Sequence, residues 1–340
     1  MNQTLTIFFL LSLIVFSNSC DKIISKNKDL AADTTLSLIT REWSKKINEF
    51  PENDEYRKAR AFSLVKDGRY QYALEDIDKA IALKPAIVAY YLDKGDILFA
   101  WGKTKEALET FKSTLEKFPK NEEVLFKTAQ FQLFVKEYPA AIQNFKQLLS
   151  INNARPDGYF FLGTVYKEMN DTNAALTQYL NAIVADPEYY NAYIQLGMIY
   201  SDKNDSAGIA YFTNAIRIDE FSDEAYYSRG LLYQKLGNYG AAVNDYRKTT
   251  NLNPAHKFAY YNTGNINAII GNYQKALDQF NTAITFAPDF EKAYNRIGQI
   301  LEIQGRYKEA KINYEKCLQI DPNFNLAKEG LIRVNNKYNE

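Results

Sequence analysis

Few residues in this 340-residue chain could carry chemistry. Its only histidine is His256, and its only cysteines are Cys20 and Cys317. A metal centre needs three or four converging ligands, and a thiol nucleophile needs a base beside it. His256 lies in the segment Asn-Pro-Ala-His-Lys and reads as an exposed turn residue, with no partner nearby in sequence. Cys317 falls in step with Ala80, Ala182, Ala215 and Ala283, so it reads as a small packed core residue. Acidic pairs such as Glu122–Glu123 and Asp219–Glu220 fall in turns or helix starts, where carboxylates favour the positive end of a helix dipole. No phosphate-binding loop, dinucleotide fingerprint or nucleophile elbow occurs. Catalysis and a cofactor are therefore not expected. With 41 basic and 41 acidic residues the chain is neutral, which leaves no electrostatic footprint for nucleic acid.

The elements that position these side chains are set by a period. Prolines 51, 85, 119, 187, 254, 288 and 322 are separated by 34, 34, 68, 67, 34 and 34 residues, a 34-residue unit with one residue missing. A period of that length marks stacked helix pairs. With proline at position 32, position 8 reads Ala61, Gly95, Ala129, Gly163, Gly197, Gly230, Gly264 and Gly298. Position 20 is likewise Gly or Ala throughout, with the missing residue placed before Gly208. Small residues there let two helices pack closely. Position 24 supplies bulk, as in Phe111, Phe145, Tyr179, Phe212, Tyr246, Phe280 and Tyr314. Gly or Asn recurs at the tight turn within each pair, and proline closes each second helix. Lys136, Asn153 and Glu220 depart from these columns.

The pattern resembles the tetratricopeptide repeat family. The unit AYYNTGNINAIIGNYQKALDQFNTAITFAPDF (259–290) carries the family's Tyr, Gly, Gly, Tyr, Ala, Phe, Ala and Pro at the expected offsets. The resemblance implies an all-α fold, a right-handed superhelical solenoid of antiparallel helix pairs (an α-α superhelix). The expected units are 54–87, 88–121, 122–155, 156–189, 190–222, 223–256, 257–290 and 291–324. A degenerate leading half-repeat spans 35–53, with residues 35–50 as its helix. A capping helix over 325–340 turns Ala327, Leu331, Val334 and Tyr338 to one side.

In this family the first helix of each unit lines a concave groove, with position 5 pointing into it. That column reads Lys58, Leu92, Phe126, Phe160, Ile194, Tyr227, Tyr261 and Asn295. Leu92, Phe126, Phe160, Ile194, Tyr227 and Tyr261 are the candidate peptide groove, because aromatic side chains bury area with little rotamer entropy to lose. Replacing Tyr227 and Tyr261 with Ala is expected to weaken partner capture and leave thermal stability nearly unchanged. Asn262, Lys292 and Arg296 match half of the family's carboxylate clamp and are the candidate carboxylate contacts. The other half is replaced by Tyr227 and Leu231.

At the N-terminus, Ile7–Phe16 (IFFLLSLIVF) is an apolar run too short to span a bilayer and suited to a signal-peptide core. It leads into Ser-Asn-Ser-Cys20, which resembles a bacterial lipoprotein signal. The resemblance implies a signal peptide over 1–19, acylation of Cys20, and a polar spacer over 20–34. The leading segment departs from the pattern in lacking Lys and Arg, and Ser17 stands where Leu is usual. A lipid-anchored protein of the bacterial cell envelope, facing the periplasm or the exterior, is the expected location. Asp21 favours inner-membrane retention under the enteric sorting rule, which does not hold in all bacteria, so either membrane stays open. The function expected is a non-catalytic scaffold that binds protein or peptide partners. The alternatives are an assembly factor for a pilus secretin or outer-membrane proteins, and an accessory subunit of a glycan-handling enzyme.

Overall fold

The computed structural model describes residues 30–338, so the apolar run, Cys20 and most of the spacer lie outside the described residues. Among the described residues there are eighteen helices and no strands, and the chain divides between Phe118 and Pro119 into two compact units. The first unit holds α1 (Leu38–Glu49), α2 (Asp54–Lys66), α3 (Tyr70–Leu83), α4 (Val88–Ala100) and α5 (Thr104–Lys117). The second begins with α6 (Glu122–Phe134), α7 (Tyr138–Ile151), α8 (Pro156–Glu168), α9 (Thr172–Ala185), α10 (Tyr190–Asp202), α11 (Ala207–Ile218) and α12 (Asp223–Lys235). It continues through α13 (Tyr239–Leu252), α14 (Lys257–Ile269), α15 (Tyr273–Phe286), α16 (Glu291–Ile303), α17 (Tyr307–Ile320) and α18 (Asn325–Tyr338). In each unit the even-numbered helix packs against the odd one that follows, and each pair packs on the next, so both are α-α superhelical repeats.

Small-against-large packing holds each pair together. The rings of Phe111, Phe145, Tyr179, Tyr246, Phe280 and Tyr314 are fully buried. A Cβ added at Gly264 would stand 2.6 Å from the Phe280 ring, closer than real Cβ contacts allow, so glycine there sets the helix separation. The turn inside the third repeat shows the opposite economy. Lys136 takes φ 66°, a left-handed conformation that costs a side-chain-bearing residue energy, where the neighbouring repeats use Gly or Asn.

Polar contacts tie successive pairs. Arg57, Tyr91 and Tyr193 each donate to the carbonyl of a proline six residues earlier, fixing the helix to the turn that precedes it. Arg60 makes a two-pronged bond to buried Asp76 (2.7 Å on each prong) and reaches Ser44 Oγ of the preceding helix at 3.2 Å. Arg229 repeats the device with Asp245 (2.8 Å) and Thr213 Oγ1 (3.0 Å).

The ends differ from the sequence expectation in detail. Within the expected helix over 35–50, α1 starts at Leu38, because the Ser37 side chain accepts from the Thr40 amide and caps it there. At the other end Ala327 and Val334 of α18 are buried and Leu331 is half-buried.

Candidate functional site

The even-numbered helices carry the candidate groove, and their neighbours decide how much of each side chain is left for a ligand. In the first unit Leu92 is half-buried. The Lys58 amine there is held by Asp93 at 3.3 Å and lies over the Tyr90 and Phe62 rings.

In the second unit Phe126 on α6 is half-buried, covered by the Arg155 guanidinium 4.8 Å from its centroid and edged by Phe161 at 5.5 Å. Phe160 on α8 meets Phe161, Tyr179 and Tyr189 at 5.3–5.6 Å. Ile194 on α10 corrects the expectation. It is only 3% exposed and belongs to a core cluster with Phe212, Ala225 and Leu232, so it is packing and not a groove anchor.

The far half of the second unit is wetter. Tyr227 on α12 packs its ring 4.5 Å from His256 and 5.7 Å from Tyr246, and its hydroxyl accepts from Asn262 Nδ2 at 3.2 Å. Burial pushes the Tyr227 pKa up, against that hydrogen bond. Tyr261 on α14 leans on Phe280 and Phe290 at 5.6 and 5.1 Å, beside the exposed ring of Phe258. Both tyrosines join the surrounding apolar clusters, so neither is a free-standing groove side chain. Their loss must therefore affect stability as well as capture.

Of the candidate carboxylate contacts, Asn262 is engaged by Tyr227 and Arg296 donates to Gln299 at 3.0 Å, while Lys292 is exposed. Asn295, one position from Arg296, is buried, and its Oδ1 has no hydrogen-bond partner among the described residues.

His256 is the residue that the sequence misplaced. It is half-buried, and its Nδ1 accepts from the Ala259 amide at 3.2 Å, capping α14. Burial lowers its pKa, with nearby Asp223 opposing. Its place immediately before an amphipathic helix was the available signal. Cys317 is fully buried, and burial raises its thiol pKa to about 12, an environment for an inert side chain. Among the described residues no cluster of His, Cys, Asp and Glu could hold a metal, and no helix is long and apolar enough to cross a membrane.

Models of the tetratricopeptide repeat match residues 58–122, 156–189, 227–291 and 291–324, together more than half of the chain. The chain is 25% identical over 243 residues to bovine (Bos taurus) DnaJ homolog subfamily C member 3, covering 70% of this chain and 44% of that protein. It thus spans less than half the length of this relative. It is 26% identical over 171 residues to the human (Homo sapiens) protein O-mannosyl-transferase TMTC3, covering 48% of this chain and 19% of that one. Among solved structures, the C-terminal part of a TPR repeat-containing protein from Cytophaga hutchinsonii superposes with a TM-score of 0.61 at 21% identity, covering 71% of this chain and 99% of that one. That last likeness concerns the fold alone. Repeats of this kind form a scaffold for contact between proteins that is generally non-catalytic. On the family models, the chain is a member of the tetratricopeptide repeat family.

Proposed function

We propose that this protein is a non-catalytic scaffold, anchored by lipid at Cys20 in a bacterial cell envelope, that holds a protein or peptide segment along α12, α14 and α16. The observation that carries the binding site is the partly exposed row of Tyr227, Tyr261 and Phe258 beside the amides and cations of α14 and α16. Aromatic anchors flanked by amides suit an extended segment, whose backbone needs hydrogen-bond partners as its side chains are buried. Lys292 and Arg296 are exposed beside that row and suit a carboxylate on the same segment. Support for the anchor is the apolar run leading into Ser-Asn-Ser-Cys20, with a polar segment following it in the sequence.

Two experiments test the two parts separately. A photo-crosslinking residue placed at 261 is expected to capture a discrete partner in cells, whereas the same group at exposed Val184 captures none. Equal capture from both positions would count against the groove. Cys20→Ser is expected to move the protein from the membrane to the soluble fraction, and unchanged fractionation would remove the anchor.

A further inference from the structure

Among the described residues, the first unit begins and the second unit ends with half a helix pair. α1 fills the second-helix place of its repeat, with Trp43 at position 24, and no helix precedes it there. α18 starts at position 1 of a ninth repeat and buries Ala327 and Val334, as α14 buries Ala259 and Ile266, but no helix follows it. Exposure marks what each lacks. In α3, positions 20, 24 and 27 are Ala73, Ile77 and Ala80, all fully buried. In α1 the same positions hold Ile39, which is 60% exposed, half-buried Trp43 and exposed Lys46. Position 8 of α18 is Ile332, 61% exposed, where Gly298 of α16 is closed against the Tyr314 ring. A hollow of about 300 Å³ lies between Ile39 and Trp43 of α1 and Ala59 and Phe62 of α2, the two helices that a preceding first helix would touch.

The complete pairs show which positions meet across a pair. Position 4 meets 30, where the Lys117 amine donates to the Tyr91 hydroxyl and Tyr260 stacks on Phe286 at 5.8 Å. Position 11 meets 23, where Asn144 Nδ2 donates to Gln132 Oε1 at 2.7 Å. Position 12 meets 24, where the Tyr246 and Tyr314 hydroxyls donate to Gln234 and Glu302 at 2.7 Å each. Ile194 and Ala215, at positions 5 and 27, share one core cluster. Carried over to α18 and α1, these pairings set Lys328 against Glu49, Asn335 against Glu42, and Glu329 against Lys46. They also set Ile332 and Asn336 against Trp43. Every pairing is complementary: opposite charges meet twice, an amide N–H meets a carboxylate, and an amide oxygen meets the indole N–H. Arg333, on the same helix, is already held by Glu302 at 2.7 Å. Ile332 and Ile39 are larger than the Gly or Ala found at positions 8 and 20 elsewhere, and the hollow beside Trp43 supplies the room.

We infer that α18 of one copy docks before α1 of a second copy, so that the two half pairs complete one repeat between chains. The contact joins two different surfaces, so it generates open chains or rings of copies and not a closed symmetric pair. One helix pair is smaller than a standard interface, which makes the association weak and concentration-dependent. It uses neither Cys20 nor the row of Tyr227, Phe258 and Tyr261.

The test uses residues 20–340 with Cys20→Ser, which contain every described helix and keep buried Cys317 as the only native thiol. Sedimentation is expected to show association that grows with concentration and passes beyond two copies. Ile332→Asp, at an exposed position, should weaken it about tenfold with helicity unchanged. Glu49→Lys should weaken it several-fold, and adding Lys328→Glu to the same chain should restore it. Under mild oxidation, a mixture of Glu49→Cys and Lys328→Cys chains should form a disulfide-linked pair containing one of each. Either variant alone should form far less. A monomer at every concentration overturns the inference, because the slot is then empty or filled from within the same chain. A symmetric dimer unaffected by Ile332→Asp, or a charge swap that restores nothing, overturns it as well. None of these failures touches the membrane-fractionation or position-261 experiments.

Discussion

The inner faces of α6, α8 and α10 and those of α12, α14 and α16 occupy the same register but differ in kind. The first is closed by its own rings: Phe161 contacts Phe126 at 5.5 Å and Phe160 at 5.3 Å, and Ile194 is buried. The second interleaves Tyr227 and Tyr261 with Asn262, Asn265 and His256 and leaves Phe258 exposed. The division falls at the shortened repeat. After the missing residue, Gly208 admits Leu232 of α12 so closely that an added Cβ would stand 2.7 Å from it. α10, α11 and α12 then close into one cluster that takes in Ile194. An apolar residue in a groove column becomes a ligand contact only where the next helix fails to cover it.

The sharpest way to break this comparison is Ile194→Ala. If the residue is core, the change costs about 2–4 kcal/mol, the range for deleting a buried aliphatic side chain. Amide exchange should speed up across α10–α12 in particular, because a repeat stack opens locally. Partner capture from position 261 should persist in the folded fraction. Intact protection with lost capture would return Ile194 to the groove.

Next in size is Asp245→Ala, which strands Arg229 beside Tyr226 and Tyr233. Removing one partner of a fully buried pair costs about 3–5 kcal/mol, and the 17% exposure of the Arg229 side chain reduces this to about 2. The loss should appear in urea denaturation as early opening of α12 and α13. Asp76→Ala should do the same around α2 and α3, where Arg57 and Arg60 share the carboxylate. Equal unfolding of either variant and the parent would show that these pairs do not hold the stack.

Smaller again is Tyr261→Ala, expected to cost about 1–2 kcal/mol, because the ring is half-buried against Phe280 and Phe290. Capture should fall by about tenfold, the effect of losing an aromatic anchor. Stability and capture are separated by Tyr227→Phe, which keeps the ring and removes only the oxygen that Asn262 bonds. Unchanged capture in both variants would leave the two tyrosines as structure alone.

The fold was legible because it is written in columns of volume. Gly264 against Phe280 and Gly298 against Tyr314 are size constraints repeated at fixed spacing, and volume survives translation from sequence to structure. Exposure does not, because it depends on the neighbouring helix. Ile194 and Tyr261 share a column, yet one is sealed by Phe212 and Ala225 while the other keeps part of its ring free. The Arg229–Asp245 bond joins residues sixteen apart on two helices, and its third member, Thr213, belongs to the preceding repeat. Nothing in a single repeat marks the three as one contact. His256 was misjudged for a similar reason: its type marks a turn, but its burial comes from the Tyr227 ring on the preceding helix pair.

His256 also supplies the smallest test, and one that only the wetter half of the groove can show. Its Nδ1 must be unprotonated to accept from the Ala259 amide, and it faces Tyr227 on α12, Asp223 at the start of that helix, and Lys257 beside it. Burial holds its folded-state pKa below the ordinary value of 6.5, so below that value the unfolded chain binds more protons. The contribution to stability is therefore full above pH 6.5 and declines as pH falls through the lowered folded value. Loss of a side-chain cap costs about 0.5–1 kcal/mol, felt in the first turn of α14. Exchange of the Ala259 amide, corrected for intrinsic rate, should quicken several-fold between pH 7 and pH 5. His256→Asn keeps a capping acceptor without titrating and should flatten that change, while α6–α10, which contain no histidine, should show none. A profile that stays steep in His256→Asn would place the titrating group elsewhere, with Asp223 the nearest carboxylate to examine.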